Sequence, residues 1–160
     1  MAGLSAGGHI ATVACQRARD AGSPQVIGQV LLNPVTDSDL SRPSYDENGE
    51  GYVLTTALMR WFWDNYADER DRTSATAAPL RGDLRGLPPT VVVTADFDPL
   101  RDEGLAYIEA LAAAGVPVQH VRARGHTHTS VTMVDVVLSG AAVRAELAEH
   151  ARALLAGDSA

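Results

Sequence analysis

Apolar positions in this chain follow two rhythms. In "VIGQVLLNPV" (26–35), "TVVVTA" (90–95) and "VPVQHVRA" (116–123) they form short runs, the first two mostly unbroken and the third alternating with period two. Such runs, bounded by turn residues, read as strands, and the unbroken ones as strands buried on both faces. Elsewhere the spacing is helical. "AGGHIATVACQRARDA" (6–21) puts Ile10, Val13 and Ala14 on one face before Gly22 stops it. "LTTALMRWFWDNYADE" (54–69), the stretch 99–114 and "AAVRAELAEHARALLAG" (141–157) complete the predicted helices. The polar stretches 36–51 and 70–89 read as loops, the first long enough to be functional or mobile.

Strands alternating with helices predict an α/β fold of about three parallel strands with flanking helices, in a single domain over 1–160. A doubly covered parallel sheet usually has more strands, and the strand at 26–35 is expected to present a bare hydrophobic edge. Edges recruit partners, so self-association through the open edge is an expectation of the pattern.

Composition narrows the class. The chain has 160 residues, 46% of them hydrophobic and 21% charged, as in an ordinary globular domain. A formal net charge of -7 argues against a nucleic-acid partner. Cys15 is the single cysteine, which excludes an internal disulfide framework and a cysteine-based zinc site, and no cofactor is implied. Neither a basic amino-terminal region followed by an apolar stretch nor a run of about 18 apolar residues is present, so the expectation is a cytoplasmic protein with no membrane partner.

The chemistry begins at Gly3. "GLSAG" has the G-x-S-x-G spacing of a nucleophile elbow, a sharp strand-to-helix turn that exposes a serine. Gly3, Ala6 and Gly7 are the small neighbours such a turn needs, and Gly8 allows close packing. The Ala6 N–H, next after Ser5, is the candidate oxyanion donor. Serine needs a base, and the base an orienting acid, in the chain order Ser, Asp or Glu, His. "DFDPLRDEG" after the strand at 90–95 offers Asp96 and Asp98, and "RGHTHTS" after the strand at 116–123 offers His126 and His128. Both loops lie at the carboxyl ends of their strands, where open α/β sheets place sites. Asp98 before Pro99 is equally a helix N-cap, and spacing alone leaves both pairs open.

"GLSAGGHIA", "LPPTVVVTADFDPLRDEGLAY" and "GHTHTSVTMVDVV" resemble segments of the hormone-sensitive-lipase-like (bacterial family IV) carboxylesterases, α/β-hydrolases that act on small acyl esters. The resemblance runs through essentially the whole chain. It implies a serine carboxylesterase with Ser5 as nucleophile, Asp98 as acid, His128 as base and a small-molecule ester as substrate. Two departures stand out: Leu4 occupies a position where the family usually has aspartate, and the family's "HGGG"-type oxyanion loop is absent. The resemblance is therefore to the carboxy-terminal half of the family's catalytic domain, with the strand leading into the elbow expected outside this sequence. A non-catalytic binding or scaffold remnant and one half of a two-chain hydrolase are the rival expectations.

Other residues carry weaker signals. Trp61, Phe62, Trp63 and Tyr66 fit either a core stripe or an acyl pocket. Cys15 reads as a packing thiol, Asp102 and Glu103 as negative charge suited to a helix N-terminus. His9, His120 and His150 show no metal-ligand spacing.

Overall fold

The computed structural model describes residues 1–157. Four parallel strands stand in sequence order in one sheet: β1 (Ala2–Leu4), β2 (Gln29–Leu32), β3 (Thr90–Phe97) and β4 (Val118–Thr127). The helices are α1 (Ala6–Ala21), α2 (Pro43–Glu47), α3 (Thr56–Tyr66), α4 (Arg101–Ala113) and α5 (Ala141–Ala156).

The strand the pattern missed is β1. Three residues of it pair with β2 in the register Ala2–Val30, Gly3–Leu31 and Leu4–Leu32, so the elbow has a strand in front of it within this chain. Three residues are too few for a hydrophobic rhythm to register. The expectation of a bare edge at 26–35 is corrected as well, because β2 lies between β1 and β3. Among the described residues the open edges belong to β1 and β4.

β3 explains its own unbroken run. Val91, Val92 and Val93 are all fully buried: Val92 packs with Cys15, Tyr107 and Leu111 from α1 and α4, whereas Val91 and Val93 face the side closed by Val143, Leu147 and Leu154 of α5. Burying each such side chain contributes about 1.5–3 kcal/mol. α1 stops at Gly22, whose left-handed conformation (φ 70°) lets its N–H reach the carbonyls of Ala18 and Arg19. α3 starts at Thr55, whose Oγ1 accepts the Leu58 N–H at 3.1 Å.

The stretch 36–51 is not a surface loop. Thr36, Asp37, Ser44, Tyr45 and Asn48 are buried, and α2 lies inside it. Its polar residues mislead because they pair with one another and with the start of α4. Ser44 donates from its N–H to Asp102 at 2.8 Å and from its hydroxyl to the Pro99 carbonyl at 2.6 Å. Tyr45, Leu54, Met59 and Trp63 form a separate apolar cluster with Leu100. This excursion places α3 beside the carboxyl end of the sheet.

Candidate active site

Ser5 sits between β1 and α1 with φ 55° and ψ −120°. A non-glycine residue there is strained by about 1–3 kcal/mol and persists only when its surroundings hold it. Three backbone bonds do so: the Ser5 N–H donates to the Leu32 carbonyl at 2.9 Å, and the Ser5 carbonyl accepts the Val35 N–H at 3.3 Å and the His9 N–H of α1 at 3.2 Å. Glycine is obligatory at Gly3, where a Cβ would collide with the Gly7 carbonyl, and at Gly8, where it would stand 2.8 Å from the Pro34 Cβ. At Gly7 a Cβ would meet nothing within 4 Å, so the expected need for a small residue does not arise from packing there.

The structure brings Ser5, His128 and Asp98 into one line. His128 Nε2 is 3.0 Å from Ser5 Oγ, and His128 Nδ1 is 2.7 Å from Asp98 Oδ2. An ionised carboxylate only accepts, so Nδ1 carries the ring proton and Nε2 is left to accept from the serine hydroxyl. The pair is sealed from water, with His128 and Asp98 side chains 6% and 1% exposed. The Ala6 N–H opens α1 and so has no acceptor within the helix.

The two carboxylate oxygens of Asp98 have different partners. Oδ1 accepts the Leu100 N–H at 2.9 Å, which caps the turn leading to α4, while Oδ2 faces His128. The helix proper begins at Arg101, two residues later than a cap at Asp98 implies. Asp96 faces elsewhere: Arg122 Nε donates to it at 2.7 Å and the Gly125 N–H at 3.1 Å. The Arg122 bond, together with the Gly125 N–H, outweighs slight burial and holds the Asp96 carboxyl below its ordinary range. His126, still within β4, lies 3.0 Å from the hydroxyl of Ser130 in the turn that follows, through Nδ1.

An apolar cavity of about 450 Å³ opens at Ser5 and Ala6, walled mainly by Leu54, Met59, Phe62, Trp63 and Tyr66. Three of the four aromatic residues singled out in the sequence therefore border it. Trp61 does not, packing edge-on against Phe62 instead. His9 also faces the cavity; its Nε2 pairs with the Thr76 carbonyl at 2.9 Å and its ring meets Tyr66 edge-on. Burial lowers its pKa against the effect of the Thr76 bond, so the neutral ring donates that hydrogen bond.

Glu103 departs furthest from its sequence reading. It is fully buried, with Oε1 accepting the Thr36 N–H at 2.7 Å and Oε2 the Tyr45 hydroxyl at 2.8 Å. Burial pushes its carboxyl up to about 8 despite these bonds. Two further residues became visible only in three dimensions. Asp37 is buried between Arg42 and Arg81, each 2.7 Å away, and Asn33 donates to Asp98 Oδ2 at 2.5 Å. The one available signal for Asn33 was its place in "NP" at the carboxyl end of a strand. Among the described residues no three His, Cys, Asp or Glu side chains are grouped to hold a metal ion, and no helix is long and apolar enough to cross a membrane.

A parallel sheet between helices, with a serine on a strained strand-to-helix turn, defines the class. A family profile described as "alpha/beta hydrolase fold" matches residues 1–132, and the chain belongs to that family. Among its relatives is Carboxylesterase NlhH of Mycobacterium tuberculosis, 42% identical over 147 residues, an alignment covering 88% of this chain and 46% of the relative. The solved structure of a thermostable esterase from Pseudomonas putida is 45% identical with a TM-score of 0.83, covering 91% of this chain and 49% of that one. The hyperthermophilic esterase of the archaeon Pyrobaculum calidifontis is 35% identical with a TM-score of 0.88, covering 99% and 52%. These relatives are named as esterases, and the chain spans about half of their length.

Proposed function

We propose that this chain carries the acyl-transfer machinery of a serine carboxylesterase for small acyl esters. The observation that carries the reading is the aligned Ser5–His128–Asp98 hydrogen-bond chain, at 3.0 and 2.7 Å, opening onto an apolar cavity. Ser5 Oγ attacks the ester carbonyl carbon as His128 Nε2 takes its proton. Asp98 holds the ring and stabilises the imidazolium. The carbonyl oxygen, now an oxyanion, takes the Ala6 N–H. Collapse of the tetrahedral intermediate expels the alcohol, which leaves with the proton from His128. Water then attacks the acyl carbon as His128 takes its proton, and His128 returns that proton to Ser5 Oγ as the bond to the acyl group breaks and the acid leaves. The cavity lies at the lower end of the usual range for small-molecule sites, about 300–1,000 Å³, which favours short acyl chains.

Hydrolysis of p-nitrophenyl acetate by the purified chain, beside its Ser5→Ala variant, tests this. Turnover above background is expected and is lost in the variant; equal rates in both reject the reading and favour a non-catalytic binding or scaffold role. A second reading, compatible with the first, is association with another chain through the sheet edge. It is favoured by the outer edge of β1, unpaired among the described residues, and by the exposed Ile10 on α1, the helix that packs on β1.

A further inference from the structure

Among the described residues three non-glycines have positive φ: Ser5 (55°), Asn33 (44°) and Thr129 (65°). The first is the proposed nucleophile and the third follows the proposed base. Asn33, which follows β2, is the one with no role so far. It is 2% exposed, and its Nδ2 stands 2.5 Å from Asp98 Oδ2, the same oxygen that accepts from His128. Its amide orientation is dictated, since a reversed amide would set an oxygen against the carboxylate. Its Oδ1 has no hydrogen-bond partner, so the side chain is committed to this single buried contact.

The neighbours of Asn33 add the decisive point. Leu32 and Val35 make two of the three backbone bonds to Ser5, the two that come from outside α1. One four-residue turn, Leu32–Val35, thus grips the nucleophile by its backbone and the acid by the Asn33 side chain. The Asn33 N–H donates to the Val93 carbonyl at 2.8 Å, which ties the turn to the strand that ends at the acid. The left-handed turn alone admits Gly, Asn or Asp, but of these only Asn offers a permanent donor.

We propose that Asn33 is a positioning residue for the Ser5–His128–Asp98 chain, holding Asp98 Oδ2 in register with the His128 ring while its turn holds Ser5. The inference rests on the esterase reading for its catalytic meaning, but not for its test. A hydrogen bond to a charged group bears on rate by about ten- to a hundredfold. Asn33 is not part of the cavity wall, so its loss acts on kcat and leaves KM in place.

The test is proton NMR of the folded chain. The far-downfield His128 Nδ1 proton is assigned by its disappearance in His128→Gln, and its exchange with solvent is measured in wild type, Asn33→Gly and Asn33→Ala. Glycine accepts the positive φ without strain, whereas alanine adds no backbone freedom, so an effect common to both belongs to the lost donor. Exchange accelerated about tenfold in both is expected, with the His126 ring signals and the thermal transition retained as internal controls. Unchanged exchange in both variants overturns the inference. Acceleration accompanied by equal change at His126 also overturns it, because a general loosening of the loop then suffices. A wild type that shows the resonance yet hydrolyses no ester rejects the esterase reading while the exchange comparison still decides the role of Asn33.

Discussion

Single atoms decide the elbow. The G-x-S-x-G pattern treats its two glycines alike, but the structure separates them. Gly3 has its Cβ position filled by the Gly7 carbonyl, whereas Gly7 looks into open space at a helical backbone conformation. Gly3→Ala therefore forces the turn apart and is expected to cost about 1–3 kcal/mol or more. Gly7→Ala replaces a poor helix former by a good one and is expected to stabilise by up to about 1 kcal/mol. Thermal denaturation of the two variants checks both, and equal destabilisation contradicts the asymmetry. That asymmetry was not legible in the sequence, because it depends on which face of α1 turns back toward β1. The candidate serine was legible, since its motif spans five consecutive residues.

At the scale of elements, α4 is fastened to the excursion after β2 by a carboxyl that the sequence reads as a surface charge. Glu103 lies in the first turn of a helix, where solvated acids are common. Only the fold places Thr36, Asp37 and Tyr45 against it. Its carboxyl titrates near 8 in the folded chain, against an ordinary value of 4.5. Between those values the folded state holds a proton that the unfolded state has lost, so this group makes stability fall as pH rises from about 4.5 to 8. Asp37 works oppositely and at lower pH. Burial opposes its charge, yet bonds from Arg42 and Arg81 together hold its pKa below 3.8, so its contribution is present above that value and is lost on acidification. His9 and His120, both lowered by burial, make stability rise with pH up to 6.5. Glu103→Gln isolates the first effect, because the other groups remain in both proteins. Its melting temperature, followed from pH 5 to 8, is expected to fall less with pH than that of the wild type. Parallel curves contradict the assignment. Three of the four strands and the long helices, by contrast, were readable from periodicity, with ends displaced by a few residues.

For the whole molecule, the sheet has two edges of different character. β4 is ten residues long and carries Arg122 and Arg124 outward, a charged edge of the kind that discourages pairing. β1 is three residues long, without a charged side chain, beside a helix that exposes Ile10. Association, if the second reading holds, runs through β1 and not through β4. Sedimentation velocity over a hundredfold concentration range is expected to show self-association, which an Ile10→Lys substitution weakens; a monomer throughout rejects self-pairing at that edge.

The sequence by itself determined the alternation of strands and helices, the position of the serine turn, and two segments at the carboxyl ends of strands offering acids and histidines. These are local properties, written in runs of a few neighbouring residues. Tertiary structure decided which side chains meet. Asp98 faces His128 across 30 residues of chain, Asn33 reaches Asp98 across 65, and Ser5 reaches His128 across 123. It also decided that a polar stretch would be buried, since buried polar groups are tolerated only with partners, and those partners lie on another element. Periodicity records which face of an element is covered; it does not record by what.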